Sequence, residues 1–420
     1  MKRIAIKNIC EVYDGPHATP KKTETGPVYL GIDAITEDGM LDSSQFSYLS
    51  KEDYIKWTKR VVPQENDIVF SYEATLGKYA LIPRGFYGCL GRRLAIIRVI
   101  SEEIDAKWLY YYFRSPEWNA FIKNQTVKGS TVDRISVEEF PNYTIPVISL
   151  KNQKKMVAVL EKIDAKIRTN NKINDYLEEM AKTIYDYWFV QFDFPNENVK
   201  PYKSSGGKMV NSNGHIIPES WTFCKIQDII SNICTGLNPR DNFKLGTGDI
   251  KYITVKNLTP NGTLDFTGCD TIDESARTIV HNRSDIQIGD ILFASIAPLG
   301  RCYLIQSEPT DWDINESVFS IRANTDIITP AFLYLYFMSD AFIKHATSSS
   351  TGSIFKGIRI NTLLETELCV PPLSVILKFE ERLASIFPLK SKNYEEIQRL
   401  SNLRDWLLPM LMNGQATIED

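Results

Sequence analysis

Reading every third and fourth residue from Met156 gives Met156, Leu160, Ile163, Ile167, Asn170, Asn174, Leu177, Ala181, Ile184 and Trp188. The gaps alternate four and three, the seam of a coiled-coil helix, and no Pro or Gly interrupts the stretch from Lys151 to Phe189. At 1.5 Å per residue such a helix spans roughly 55–60 Å. Its seam is apolar at both ends and polar in the middle. Asn170 and Asn174 therefore read as register pins, because a buried amide costs stability but fixes partner and alignment. A second long pattern runs from Val375 to Met412, with Ile376, Phe379, Leu383 and Ile386 as its first stripe and Ile397, Leu400, Leu403, Leu407 and Met410 as its last. Pro388 lies between the two stripes. A proline inside a helix removes a hydrogen bond and costs roughly 3 kcal/mol, so a kink or break is expected there.

The rest of the pattern occurs twice. Tyr29–Gly39 recurs as Tyr252–Gly262, and Asp67–Ser71 with Leu76–Lys78 recurs as Asp290–Ala294 with Leu299–Arg301, all displaced by 223 residues. Trp108–Phe113 matches Phe332–Phe337 at 224; Arg134–Ser136 matches Arg359–Asn361, and Thr144–Ser149 matches Cys369–Ser374, both at 225. Shared order, spacing and chemistry mark a tandem duplication. Each copy predicts the same elements. Val28–Ile32 and Lys251–Val255 alternate as strands do, with turns at Asp38-Gly39 and Asn261-Gly262. Asp67–Ser71 and Lys78–Ile82 are expected to be strands joined by the loop Tyr72–Gly77, and Asp290–Ile305 repeats them. Asp105 caps a helix over Ala106–Phe113; Thr329-Pro330 opens its counterpart. Ser136–Glu139 has the capping-box pattern, with Asn361 at the corresponding cap, before a last strand that ends at Pro146 or Pro371-Pro372. Each copy then runs into a long helix, so each helix finds its partner within the chain.

The fold class expected is α+β: two similar globular domains in a pseudo-two-fold arrangement, separated by two long antiparallel coiled-coil helices. The segments are 1–148, the first globular domain; 149–190, the first long helix; 191–215, a linker rich in turn formers; 216–373, the second globular domain; and 374–414, the second long helix.

Composition narrows the function. Hydrophobic content of 43% and charged content of 24% are ordinary for a globular chain, and no apolar run approaches the roughly 18–20 residues a membrane span needs. Seven cysteines form no Cys-x-x-Cys pair and four histidines stand isolated, which predicts reduced thiols, a cytoplasmic setting and no metal centre. A net charge of −4 gives no global basic field, so nucleic-acid binding has to come from local patches. Phosphate-binding and dinucleotide-binding glycine loops are absent, and Pro141-Asn142-Tyr143 has the wrong order for a methyltransferase motif. No catalytic residue is assigned. Glu138-Glu139 and Glu102-Glu103 lie near helix starts, where acids are favoured electrostatically.

The candidate chemistry lies in loops that keep their place in the two copies while their side chains differ. In the first copy these supply Tyr13, His17, Thr19, Lys21 and Lys22, then Tyr72, Lys78, Arg92 and Arg93, then Lys128, Ser130, Thr131 and Arg134. In the second they supply Arg240 and Lys244, then Arg301, then Ser350, Thr351, Ser353, Lys356 and Arg359. Cations neutralise phosphates, and Arg, Lys and amide side chains can read base edges. Arg134 and Arg359 align in the duplication and are the sharpest candidates, although either could instead anchor the short helix that follows it.

Two variable globular repeats, each followed by a long helix, resemble the specificity subunit of a Type I restriction–modification system. Asp14–Pro20, Trp188–Phe194, Ile217–Trp221 and Leu403–Gly414 look like stretches of that family, with Ser220 where a Gly is usual before the tryptophan. The resemblance implies a non-catalytic subunit in which each globular domain is a target recognition domain for one half of an asymmetric, bipartite double-stranded DNA site. The paired helices would be the ruler between the halves. It also implies two modification subunits that methylate adenine N6 from S-adenosylmethionine, and restriction subunits that use ATP and Mg to translocate DNA. No cofactor is expected in this chain. The competing readings are the recognition half of another type of split restriction–methylation enzyme, a self-contained methyltransferase or nuclease, and a two-headed protein scaffold.

Overall fold

The computed structural model of the chain describes residues 2–36, 38–126, 133–212, 214–266, 268–348 and 357–416. It is an α+β chain in two compact units: Met1–Arg168 with Ile397–Asp420, and Thr169–Glu396. We call them unit one and unit two.

Among the described residues of unit one, strands Cys10–Asp14, Leu94–Val99, Ile68–Ser71 and Tyr79–Leu81 form a four-stranded antiparallel sheet in that order. Thr23–Leu30 lies between Ser47–Tyr48, antiparallel, and Gly88–Leu90, parallel, in a second sheet. Lys2–Ala5 pairs with Thr144–Val147. Unit two repeats all three sheets: Ile230–Thr235, Val318–Ala323, Ile291–Ala294 and Cys302–Leu304; then Asp270–Ile272, Ile250–Ile253 and Trp312–Ile314; then Thr222–Lys225 with Glu367–Val370. It adds the hairpin Met209–Ser212/His215–Pro218.

Both four-stranded sheets are held by the same buried ion pair. Arg98 grips Asp67 with Nε and Nη2 at 2.8 and 2.7 Å, while the Gln64 backbone N–H donates to the same carboxylate at 2.8 Å. Arg322 grips Asp290 at 2.7 and 2.9 Å, with Gln287 N–H at 3.0 Å. Both aspartates are buried, so the two-pronged contact and the backbone donor replace the water they give up. Aromatic side chains fill the cores. In unit one Phe140, Phe70, Tyr79 and Phe113 stack in turn, Trp118 tilts against Phe113, and Trp118 Nε1 donates to the Tyr79 hydroxyl at 2.8 Å.

The helix Ala106–Phe113 starts where expected, its Asp105 carboxylate accepting from the N–H groups of Lys107 and Trp108. Its counterpart, Pro330–Phe337, is capped by Thr329. The expected cap at Asn361 is corrected: Arg359 holds the N-cap position of the helix Ile360–Leu364, and Asn361 lies inside it.

The first long helix spans Leu150–Tyr185 and ends in a wider turn over Asp186–Val190. The second is broken. Leu373–Leu383 ends at Ala384-Ser385, and a new helix runs Ile386–Met412. Pro388 sits in the first turn of this new helix, where its missing N–H leaves no bond to the preceding segment. Within unit two, Asn170 donates to Glu396 at 2.9 Å, Asn393 donates to Asn174 at 3.1 Å, and Lys390 pairs with Glu178. As the first helix advances by four residues the second retreats by three, so the pairing is antiparallel. Both asparagines are buried. Within unit one, Ile163 and Ile167 pack with Ile397, and Arg404 Nη1 meets Asp164 Oδ1 at 3.2 Å. The last apolar stripe needs a correction here. Leu403 is exposed, while Arg404 turns inward and Leu408, Leu411 and Met412 are buried. An arginine occupies the seam because an aspartate waits there for it.

Both predicted turns press on a helix. Gly39 has φ +80° and Gly262 φ +64°, and a Cβ there would lie 2.3 Å from the Tyr110 hydroxyl or 1.9 Å from that of Tyr334. Only glycine meets both demands.

Candidate nucleic-acid interface

In unit one three loops converge beside the four-stranded sheet. Gly15 N–H donates to Leu94 O at 3.0 Å, Tyr72 N–H to Arg93 O at 3.1 Å, and Ile135 N–H to Tyr72 O at 2.8 Å. Arg93, at φ +72°, pairs with Glu73 at 2.9 Å, and the Glu73 backbone bridges that of Arg134. This frame leaves His17, Thr19, Lys21, Lys22, Arg92 and Arg134 exposed. His17 Nε2 lies 2.9 Å from Asp14 Oδ2, and Arg60 Nη1 lies 3.8 Å from the same oxygen.

Three candidates are placed differently. Tyr72 is buried, and desolvation together with Asp14 pushes its hydroxyl pKa up. Tyr13 lies on its strand with its hydroxyl donating to Glu11, which raises its pKa, and with the Arg98 guanidinium 5.6 Å from its ring. Lys78 reaches across to donate to Ile35 O at 3.0 Å. Arg301 does the same in unit two, donating to Leu258 O at 3.0 Å. These paired cations tie the hairpin loop to the second sheet's turn, a role for which the sequence carries no separate signal.

Unit two has the same frame: Ser295 N–H donates to Ser317 O at 3.1 Å, and Ile358 N–H to Ser295 O at 2.8 Å, beside a bridge from Ile296 to Gly357. These bonds correct the expected equivalence of Arg134 and Arg359. Ile135 corresponds to Ile358, at a displacement of 223, so the counterpart of Arg134 is Gly357 and that of Arg359 is Ser136. Repeated Arg-Ile pairs had drawn the alignment two residues out of register. Arg240, Lys244 and Arg359 are exposed. Lys128, Ser130, Thr131, Ser350, Thr351, Ser353 and Lys356 lie outside the described residues.

Sequence reasoning missed Lys56, Lys59 and Arg60, which stand at and just beyond the end of the helix Lys51–Trp57. They are exposed, and with Asp14–Ala18, Trp57, Val61 and Leu90 they line a cleft of about 440 Å³. A short helix has too little periodicity to announce itself, but three cations in five residues around a tryptophan was the available signal.

Such a surface can neutralise phosphates and present guanidinium and ammonium donors to base edges. Among the described residues no group of three or more His, Cys, Asp and Glu could hold a metal ion, and no helix is long and apolar enough to cross a membrane. In unit two Asp313 is buried between Ser284 Oγ, at 2.6 Å, and His281 Nδ1, at 3.1 Å, and burial raises its pKa. The carboxylate separates the imidazole from the hydroxyl, so the trio lacks the base-to-nucleophile contact that acyl transfer requires.

Two similar units of this kind, each presenting exposed cations on a hydrogen-bonded loop frame, define a protein built for recognition. The Type I restriction modification DNA specificity domain matches residues 1–179 and again 218–399, and the chain belongs to that family of non-catalytic DNA-recognition subunits. It is 22% identical to the Type I restriction enzyme MjaIX specificity subunit of Methanocaldococcus jannaschii over 428 residues, covering 99% of this chain and 93% of the relative. It is 21% identical to the HindI specificity subunit of Haemophilus influenzae over 337 residues, covering 69% and 72%. The fold is similar to that of the S subunit of a Type I restriction–modification system from M. genitalium, with a TM-score of 0.52, 15% identity, and 98% and 95% of the two chains covered.

Proposed function

We propose that each unit reads one half of an asymmetric, bipartite double-stranded DNA target, and that the chain recruits two adenine-N6 modification subunits to it. The observation that carries this reading is one loop frame built twice with different exposed side chains. Arg92 and Arg134 face solvent in unit one, Arg240, Lys244 and Arg359 in unit two. Different cations on equivalent frames suit two different half-sites, and an unread spacer between them follows. Methyl-donor chemistry would belong to the modification subunits, and ATP-driven translocation and cleavage to restriction subunits that join them. A docking face for a partner is available on the unit-two part of the first long helix. Ile173, Tyr176 and Met180 are exposed there at helical spacing, away from the buried Asn170–Asn174 seam, with Tyr187 exposed in the wider turn that follows.

Deleting the gene and mapping modified bases genome-wide tests the reading. A bipartite N6-methyladenine motif should vanish; an unchanged methylome in a host with active modification subunits would overturn it.

A further inference from the structure

The two units differ where the loop after the first sheet strand meets the second sheet. In unit two that loop folds back on itself. Leu237 and Phe243 pack against Tyr252, Ile272, Ala276 and Val280, and the Tyr252 hydroxyl donates to Leu237 O. In unit one the equivalent space, beside Tyr29 and the helix Lys51–Trp57, is the open cleft. Its walls are apolar: Pro16, Ala18, Trp57, Val61 and Leu90. Four exposed side chains line it as well: His17, Lys56, Lys59 and Arg60. At the positions of Lys56, Trp57 and Lys59, unit two has Ile279, Val280 and Asn282, while Arg60 keeps a cation as Arg283, so the two lysines and the aromatic wall belong to unit one alone.

An apolar floor by itself would take any hydrophobe, and a cationic rim by itself any phosphate. Together, at about 440 Å³, they fit a flat ring joined to a negative charge, and the volume is that of a small-ligand pocket. The one carboxylate in the cleft, Asp14, already faces His17 and Arg60, and so opposes little of the remaining charge. Lys56 Nζ stands 4.7 Å from the centroid of the Trp57 ring, so a cation lies directly beside the aromatic wall. A phosphate could take that ammonium.

We propose that this cleft receives one nucleotide of the bound DNA strand, turned out of its stack, with the base on the apolar walls and its phosphate against Lys56, Lys59 and Arg60. The inference rests on the reading of unit one as a DNA reader. A turned-out base has to be unstacked, and the contacts in the cleft compensate.

The test uses the full chain and its target duplex, with 2-aminopurine placed in turn at each position of the half-site read by unit one. One position should brighten several-fold on binding. Ala18→Trp, a substitution on an exposed loop that fills the cleft, should abolish that signal. It should also weaken affinity about tenfold while leaving the melting temperature and the other half-site's contribution unchanged. Binding with no bright position, or brightness that survives Ala18→Trp, overturns the proposal and leaves the DNA reading standing. Failure to bind duplex with a steep salt dependence overturns both. Adenosine monophosphate titrated without DNA forms the other arm: saturable binding that Ala18→Trp removes, with no bright position in the duplex, would assign the cleft to a free nucleotide and overturn the extruded base.

Discussion

The two units solve one mechanical problem differently. In unit two the turn Asn261-Gly262, the helix Pro330–Phe337 and the long helices share a single polar knot. The Lys390 ammonium, nearly wholly buried, contacts Glu178 and donates to Asn261 O at 2.8 Å; Tyr334 donates to Glu178 at 2.8 Å; Asn261 donates to Asp175 at 2.5 Å. In unit one the work is divided between neighbouring tyrosines. Tyr110 donates to Gly39 O at 3.0 Å and accepts from Arg114 at 2.8 Å, while Tyr111 donates to Asp164 at 2.6 Å, opposite Arg404. The turn is therefore tied to the helix pair in unit two by the Lys390 ammonium and by Asn261 on Asp175, whereas in unit one turn and helix pair are held by separate bonds. A duplicated scaffold can keep a tyrosine against a glycine turn, Tyr110 on Gly39 and Tyr334 on Gly262, while exchanging the groups that tie the turn to the long helices.

The largest expected effect comes from Lys390→Ala, which strands the Asn261 carbonyl and leaves the largely buried Glu178 carboxylate with the Tyr334 hydroxyl in place of an ammonium. Urea unfolding should show unit two losing about 3–5 kcal/mol, and adding Glu178→Leu should recover most of it. Arg404→Ala should cost unit one less, because each carboxylate keeps a tyrosine hydroxyl but the loss of Lys390 also strands the Asn261 carbonyl. Equal losses would erase the distinction drawn between the units. Gly262→Ala combines a left-handed backbone with a clash on Tyr334, and thermal unfolding should register about 2 kcal/mol. Gly39→Ala should cost less, since its Cβ would stand 2.3 Å rather than 1.9 Å from the tyrosine hydroxyl it meets.

On DNA, replacing Lys56, Lys59 and Arg60 together by Gln should flatten the slope of log affinity against log salt by about 2–3 for the half-site of unit one, at roughly 0.9 per phosphate contact. An undiminished slope would remove the cleft from the DNA footprint. Arg134→Ala should weaken or relax only the unit-one half-site, by about 1 kcal/mol, whereas equal loss at both halves would mark a folding defect. The smallest effect is expected from Asn170→Leu with Asn174→Leu. An apolar seam gains stability, but Asn393 loses its partner, so the net change should stay within about 1 kcal/mol of zero until Asn393→Leu is added. A large loss from the double variant would mean that the amides stabilise the helix pair as well as align it.

The duplication, the long helices, the Asp105 and Thr329 caps and both glycine turns could be read from the sequence because each has a local cause: periodicity, a side-chain acceptor, or a backbone only glycine adopts. What escaped depends on contacts across the fold. Nothing near Lys78 or Arg301 says that a carbonyl 43 residues earlier will take the cation. Leu403 fits an apolar stripe better than Arg404 until Asp164 is seen opposite. The pairing of Arg134 with Arg359 failed because like dipeptides outweighed register, which only the backbone bonds fix. The cations of the cleft were passed over because they flank a single short helix whose counterpart in the second copy carries neither the lysines nor the tryptophan.

Unit one is assembled from two separated pieces of chain, and its core includes Leu408, Leu411 and Met412. During synthesis the second-encoded unit can therefore close first, while the first-encoded one waits for these side chains, encoded after unit two, to leave the ribosome. A messenger cut short after about residue 396 would yield a protein with one complete reader and an open apolar wound in the other, a form suited to degradation rather than to occupying half a site.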